Sequence, residues 1–390
     1  MSKDIDHRVA ALVEADEVDF LALRREIEAQ VSCGDYTWAG DFAVAAAARA
    51  AAGKDSRGRC ELALLYVLQA LAAHPGPESL RTLLRVPASP SAEDAGRTRA
   101  EHRLASLVAR GHHIEDIARS VFTPPAASVH SPEFKASLLH ELVLVSDRVG
   151  EHPALRAYAA SLEAEGHPLA ALPLHLLPEE DGLRRPAGAA DDWSWQIPSS
   201  PSEGIGTPEL SATPAMRLRA VGADLTETGG PELAATMGAA VQHWRAESNG
   251  EIAAQEFWSL DPVPADDFPA ILELLPLAPW PADDTPPRLH PSTPQEMLAV
   301  LLTAAVRAPA YGLGLGVAYG RLAAWQSLAG LTGAPTGATV RETADLVRRT
   351  TWFRLGTTSR WFHQVAWDLA LAALRPGGQE IAVLAATDTD

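Results

Sequence analysis

The sequence predicts a mainly α protein, in which an N-terminal helical array, an irregular solenoid-like bundle, is followed by an α+β C-terminal domain. From the start to about residue 173, apolar residues recur at three- and four-residue steps, as amphipathic helices require. Breaks such as Pro75-Gly76-Pro77 separate these helices. After Pro214 the apolar pattern becomes mixed, and the last apolar segment, Ile381–Ala386, is typical of a buried strand.

The N-terminal pattern predicts seven or eight helices. One of them is marked by Ser131 as an N-cap with Pro132 at the first helical position, ahead of the apolar residues from Phe134 to Leu144. Short connections and the lack of strand signals favour an antiparallel helical array. The sequence has no fixed period that would indicate a named class of repeat.

A change of composition between residues 178 and 214 predicts a linker, since Pro, Gly, Ser, Asp and Glu dominate there. Glu179-Glu180-Asp181 adds like charges to it. Trp193–Ile197 alternates large apolar with polar residues, which predicts a short strand or an anchoring hook. The predicted domains are therefore a helical array over 1–177, an acidic linker over 178–214 and an α+β domain over 215–390.

The C-terminal domain has its own series of predicted elements. Two capping boxes, Thr293 with Glu296 and Thr339 with Glu342, mark helix starts. In chain order the pattern predicts a strand over 216–220, a helix over 231–248, a strand over 252–260, a short helix over 268–275, helices after each capping box and after the glycine stretch 312–320, a helix over 360–374 and a final strand.

Composition and charge exclude several classes of protein. The chain of 390 residues is long enough for two domains, and no apolar run reaches the length of a membrane span. The formal net charge of -18 and the scattered arginines disfavour nucleic-acid binding. The first residues lack a secretory signal, so we expect a cytoplasmic protein, with Cys33 and Cys60 as packed thiols.

The glycine stretch is the first candidate site. Its glycines precede a helix and could expose backbone amides to a phosphate, with Arg321 as the nearby cation. The spacing fits neither a dinucleotide fingerprint nor a P-loop, so close packing against the helix after Thr293 is the favoured interpretation. The candidate ligand-binding residues are Gly312, Gly314, Gly316, Gly320 and Arg321.

The C-terminus is a candidate metal site. Asp388 and Asp390 would share one face if the last strand continued to the end, and hard oxygen ligands suit Mg²⁺ or Ca²⁺. Open α/β sheets keep their sites at the carboxyl ends of their strands, which favours this hypothesis. The alternative is that both carboxylates lie in water.

Two histidine-containing segments are weaker candidates for a functional site. On the predicted helix over 360–374, His363 and Asp368 are the candidate catalytic residues, although no Ser or Cys nucleophile accompanies them. His112 precedes Glu115 and Asp116 at three- and four-residue spacing, which is compatible with a metal, but helix capping by the acids is the better account. A helix-turn-helix over 113–129 is a further hypothesis, disfavoured by its two prolines.

Two segments carry a resemblance to a known family. The residues Gly316–Ala329, together with Trp367–Leu369 and Leu384–Asp390, resemble the C-terminal signature of an uncharacterised protein family from high-GC Gram-positive bacteria. The resemblance covers about the last hundred residues. The resemblance supports a bacterial, cytoplasmic protein and the predicted domain boundary, and it implies no particular chemistry.

The leading functional hypothesis is a non-catalytic protein-interaction or scaffold module that binds another protein, because helical arrays present extended surfaces. The alternative is an enzyme or a domain that binds a phosphate or metal ligand. An exposed apolar patch on the helical half would favour the first, and convergence of Gly314, Arg321, His363 and Asp388 on one pocket would favour the second. The sequence identifies no cofactor.

Overall fold

The computed structural model describes residues 3–14, 17–53, 58–86, 94–124, 130–184, 210–221, 223–281, 284 and 286–390. Most of the predicted linker and the predicted hook at Trp193–Ile197 lie outside these ranges.

The chain divides into two compact units. The helical unit contains the described residues up to Ala170, together with Leu174–Leu176 and Arg184. The α+β unit contains Ala171–Pro173, Leu177–Leu183 and the described residues from position 210 onward. The exact domain limits of the sequence analysis stay a prediction.

The helical unit confirms the predicted helical array, with nine α-helices among its described residues instead of seven or eight. A π-helical turn, Ala118–Phe122, follows the seventh. The helices are α1 Lys3–Glu14, α2 Phe20–Ser32, α3 Tyr36–Ala51, α4 Arg59–Ala72, α5 Pro77–Arg85, α6 Asp94–Gly111, α7 Ile114–Ile117, α8 Pro132–Val145 and α9 Pro153–Glu165. Residues 125–129 of the hypothetical recognition helix lie outside the described ranges.

The helices of this unit pack through apolar and small residues. Helix α4 contacts α2, α3, α5 and α6, and its buried side chains include Leu64, Val67 and Leu71. At the end of α6, a Cβ on Gly111 would lie 2.1 Å from the carbonyl oxygen of Ala72, so glycine permits this close approach.

The α+β unit contains seven further α-helices among its described residues. Both predicted capping boxes are confirmed, because Thr293 and Thr339 cap the helices that follow them. The helices are α10 Pro214–Ala220, α11 Pro231–Met237, α12 Gln242–Glu247, α13 Phe268–Leu272, α14 Pro294–Val306, α15 Val317–Thr332 and α16 Val340–Arg349.

The described strands of this unit form one six-stranded antiparallel sheet in the order β1-β2-β6-β5-β4-β3. The predicted strand over 252–260 and the final strand are confirmed. The strands are β1 Leu225–Glu227, β2 Glu251–Ser259, β3 Leu289–Ser292, β4 Thr351–Leu355, β5 Trp367–Leu374 and β6 Glu380–Asp388.

Both faces of the sheet are covered, which explains why its central strands are apolar throughout. On one face, alternate residues such as Phe353, Ala372 and Val383 form a core with Phe268 of α13 and with Trp280. Helices α14 and α15 contact β5 on the opposite face. The side-chain period of two assigns every strand residue to one of these faces.

Two predicted elements were wrong in type. Residues 216–220, predicted as a strand, belong to helix α10, because Thr213 caps the helix and Pro214 occupies its first turn. Residues 360–374, predicted as a helix, form a loop and then β5. An Ala- and Leu-rich strand buried on both faces has the same apolar run as a buried helix, and the sheet decides its conformation.

The helix predicted over 231–248 is divided into two. A 3₁₀ turn, Ala239–Val241, separates α11 from α12. Gly238 ends α11, and a Cβ at this position would lie 3.4 Å from the side chain of Ile252 on β2. The break therefore lies where this helical segment packs on the sheet.

Candidate functional site

The glycine stretch leads from α14 into α15 and packs closely against the end of α14; Gly312, Gly314 and Gly316 precede α15, whereas Gly320 lies within it. A Cβ on Gly314 would lie 1.9 Å from the carbonyl oxygen of Val306, and one on Gly320 would lie 2.5 Å from the Val306 side chain. Gly312 has a φ of 97°, which favours glycine. Gly316 is the N-cap of α15. This geometry supports the packing interpretation, and phosphate binding by these glycines stays a prediction.

Replacing Gly314 by Ala is expected to destabilise the α+β unit by about 1–3 kcal/mol or more, because the added methyl group overlaps backbone atoms that cannot move aside cheaply. Urea unfolding of the full-length protein measures the loss. The matched control is Gly230→Ala, where a Cβ would meet nothing within 4 Å. Equal losses in the two variants would contradict the packing role of Gly314.

Arg321 is fully buried in a hydrogen-bonded ion pair with Glu180. Its Nε and Nη2 atoms donate to the two carboxylate oxygens, at 2.5 and 2.8 Å, and Nη1 donates to the Pro173 carbonyl at 3.2 Å. The indole of Trp325 also donates to Glu180, at 2.9 Å. The predicted role of Arg321 as a cation for a bound phosphate therefore gains no support, because its bidentate edge already holds a carboxylate.

His363 and Asp368 meet at one end of the sheet, although through a loop and strand instead of a helix. The His363 backbone N–H donates to Thr387 Oγ1 at 3.0 Å, and that hydroxyl donates to Asp368 at 2.7 Å. The His363 side chain is exposed, whereas Asp368 is buried. Burial raises the pKa of the Asp368 carboxyl above its ordinary value, and hydrogen bonds from Thr387 and the Gln364 backbone partly offset this effect.

Gln364 has a positive φ of 55°, unlike any other non-glycine residue in the described ranges. Such a conformation costs energy and persists only where the surroundings hold it. Here its side chain donates to the Thr357 carbonyl at 2.9 Å. The loop before β5 is thus a strained segment beside a carboxyl with a raised pKa, a combination found at functional sites.

Asp388 and Asp390 differ in their surroundings. Asp388, the last residue of β6, is fully buried, and its Oδ2 accepts a hydrogen bond of 2.6 Å from the Ala310 backbone N–H. Asp390 lies beyond the strand and is exposed. Because the sheet is antiparallel, the expectation drawn from the carboxyl ends of parallel strands does not apply to this site.

Two of the candidate carboxylates, those of Asp368 and Asp388, are separated by the sheet. Asp368 and Asp388 face opposite sides of the sheet, since Asp368 has the parity of Ala372 and Asp388 has the opposite parity to Val383. In the described part of the chain, no three His, Cys, Asp or Glu side chains are grouped so that they could hold a metal ion. Catalysis by His363 and metal binding by Asp388 stay predictions.

Sequence reasoning missed helix α10, whose sides differ sharply in their exposure to solvent. Met216 and Ala220 pack toward the core. Successive helical residues are rotated by about 100°, so Arg217 and Arg219 occupy the two flanks and Leu218 lies opposite the core. Leu218 is accordingly 79% exposed. The helical caps at residues 213 and 214 were the signal that could have revealed this arrangement.

Two ion pairs fix the orientation of α10. Arg217 donates through Nε and Nη2 to the Glu273 carboxylate at 2.7 and 3.1 Å. Arg219 binds Asp267 with the same two nitrogen atoms and holds the pKa of that carboxyl below its ordinary value. Asp267 and Glu273 flank the two ends of α13, so α10 is held against α13 from both sides.

A cavity of about 540 Å³ adjoins the carboxyl end of α13. Its lining consists mainly of leucines and prolines between Leu272 and Pro287, with Trp280 and the carboxylates of Glu273 and Asp284. A volume of this order is typical of pockets that bind small molecules. This cavity was not predicted, because the sequence pattern indicates only the short helix over 268–275 in this region.

The fold and these sites define a mainly α protein with a helical unit and an α+β unit built on an antiparallel sheet. None of the helices in the described ranges combines the length and apolar character needed to cross a membrane.

The chain belongs to the family of unknown function DUF6183, whose family model matches residues 22–390. The resemblance to an uncharacterised family is confirmed, but its restriction to the last hundred residues was wrong, since the match spans nearly the whole chain. Comparison with curated proteins and with solved structures finds no match. The bacterial origin stays a prediction.

Proposed function

We propose that this protein is a non-catalytic module that binds another protein through an apolar ridge on α10. The ridge consists of Leu218 on α10 and Val221 at the C-cap of this helix, two residues that are 79% and 72% exposed and lie about one helical turn apart. Each is more exposed than any other large apolar side chain in the described ranges. This observation carries the proposal, because adjacent large apolar side chains on a surface commonly mark binding sites.

The ridge is held in a fixed orientation, which supports a built surface instead of a chance exposure. Arg217 and Arg219 both pair with acids at the ends of α13, so α10 cannot rotate to bury Leu218 without breaking two bidentate ion pairs. A rigid helix face reduces the entropy that a partner must overcome on binding.

The ridge has an apolar neighbour at the sheet edge. The Leu260 side chain is 65% exposed, and its backbone N–H donates to the carbonyl of Asp224, three residues beyond Val221, at 3.1 Å. Strand β1 stands first in the strand order of the described sheet, next to β2, and is an edge strand. The expected partner therefore presents an apolar groove that receives the ridge and Leu260.

The helical unit offers less for such contacts. Among its described residues, Leu21 is the one large apolar side chain that is strongly exposed. The described part of the helical unit therefore lacks the apolar patch sought there, and the exposed ridge belongs to the α+β unit instead. Binding of a small ligand is the second candidate function, and the cavity beside α13 favours it more than the glycine stretch does.

The double variant Leu218→Glu with Val221→Glu is expected to abolish partner binding, because two carboxylates cannot enter an apolar groove without a large desolvation cost. The measurement is affinity capture of the full-length protein from its own cells, with mass spectrometry of the proteins retained. Stability should change by no more than about 0.5 kcal/mol per site, since both side chains are exposed.

The matched control is Leu21→Glu, at an exposed position of the helical unit. It should retain every protein that the wild type captures. If the double variant retains the same proteins in the same amounts, α10 is not the binding surface and the proposal fails.

A further inference from the structure

Arg354, in the middle of strand β4, is a buried cation with unpaired donors. Its side chain shares a face with Trp352, whose indole contacts α16, and only 5% of the residue is exposed. Its Nε and Nη2 atoms are buried, and neither has a hydrogen-bond partner within the described residues. Burying N–H donors of a charged group without acceptors costs several kcal/mol, so this arrangement calls for an acceptor.

The geometry of the unpaired donors indicates what that acceptor is. Nε and Nη2 form the edge of the guanidinium that binds two oxygen atoms of one anion. Three other arginines of the α+β unit use this same edge to bind a carboxylate of the chain. The pairs are Arg217 with Glu273, Arg219 with Asp267, and Arg321 with Glu180.

His290 supplies a second unpaired nitrogen beside Arg354. The two residues are directly opposite each other in the register of β3 and β4, so their side chains lie on the same face with Cβ atoms about 5 Å apart. The Nδ1 atom of His290 is buried and has no hydrogen-bond partner in the described ranges. In the tautomer protonated at Nδ1, this atom is a donor.

We infer that Arg354 and His290 form a binding site for an oxyanion, in which the Arg354 Nε and Nη2 atoms bind two oxygens of a carboxylate or phosphate group. The site lies near the sheet edge, because β3 is last in the strand order, Leu210 bridges it at Leu289, and the His290 side chain is only half-buried. A small anion can thus approach from the β3 side. The site is independent of the α10 ridge and of the glycine stretch.

The test is thermal unfolding of the full-length protein in sodium phosphate, sodium acetate and sodium chloride at equal ionic strength. Because phosphate stabilises many proteins without binding a site, the readout is the difference between the wild type and Arg354→Met. We expect phosphate or acetate at about a hundred times its Kd to raise the wild-type midpoint by about 5 °C relative to the variant. The anion with the larger difference identifies the class of ligand.

Two further variants keep the test decisive. Arg349→Met removes an exposed arginine of α16 and should retain the full response to the anion. Arg354→Lys keeps the positive charge but loses the two-donor edge, so its affinity for the anion should fall at least about tenfold. The inference is overturned if neither anion raises the wild-type midpoint above that in chloride, or if the Lys and Met variants respond as the wild type does.

Discussion

Replacing Glu180 by Gln is expected to lower the free energy of unfolding of the α+β unit by about 3–5 kcal/mol, because it leaves the Arg321 guanidinium buried without its counter-charge. Both side chains of the pair are 0% exposed. Glu180 also accepts hydrogen bonds from Trp325 and from the Leu177 backbone, at 2.9 and 2.7 Å, and the amide of Gln can preserve only part of these. Hydrogen exchange of α15 amides in the full-length protein measures the loss in this unit.

The neighbouring residue provides a matched control. Glu179 is as deeply buried as Glu180, but its partner Arg348 has a side chain that is 45% exposed and also pairs with Asp345. After Glu179→Gln, water and Asp345 still solvate the Arg348 charge, so the loss should be about 1 kcal/mol. If Glu179→Gln costs as much as Glu180→Gln, burial of the unpaired arginine is not the cause of the destabilisation.

A double variant separates charge from packing. The double variant Glu180→Gln with Arg321→Met also removes the positive charge of Arg321, which Glu180→Gln alone leaves buried and unpaired. The double variant should therefore be more stable than Glu180→Gln alone. A double variant that loses the sum of the two single losses would show that the two residues act independently.

This ion pair also shows a limit of sequence reasoning. The acidic run from Glu179 to Asp181 has the composition of a solvated linker, and Arg321 lies 141 residues beyond Glu180. Nothing in the local sequence of either segment indicates that Glu180 and Arg321 will form a buried ion pair. Local rules did predict the capped helices α14 and α16, because Thr and Glu at the required spacing satisfy the helix end by themselves.

The same difference between local and long-range signals decides how much of each candidate site could be predicted from the sequence. The sequence predicted His363 and Asp368 on one helix but on different faces of it. In the structure both lie at one end of the sheet, and the predicted helix is a loop and a strand. A strand that is apolar on both faces lacks the alternation that distinguishes it from a helix. Arg354 could not be selected at all, because a lone arginine in an apolar run gives no sign of whether an acid lies opposite it.

Acidification from pH 7.5 to pH 5 is expected to destabilise the helical unit through His112, by about 2 kcal/mol. The His112 side chain, at the end of α6, is buried, and its Nε2 has no hydrogen-bond partner within the described residues. Desolvation lowers the pKa of this imidazole from 6.5 to about 4, with His113 adding to the effect and Asp116 opposing it. The folded state thus contains a neutral ring that the unfolded state protonates more readily.

The sign of the effect follows from proton binding. Between pH 6.5 and about 4, the unfolded state binds more protons than the folded state, so the stability contributed by His112 is complete above pH 6.5 and falls as the pH falls. A shift of one pKa unit corresponds to about 1.4 kcal/mol, so the whole loss, reached below pH 4, is about 3 kcal/mol.

The variant His112→Leu cannot take up this proton and should lose less stability than the wild type between pH 7.5 and 5. Urea unfolding followed by far-ultraviolet circular dichroism at the two pH values measures the difference. The variant His113→Gln removes only the smaller contribution of an exposed neighbour and should lose nearly as much stability as the wild type. If wild type and His112→Leu lose equal stability on acidification, His112 is not the group that senses the pH, and the acid sensitivity of this unit originates elsewhere.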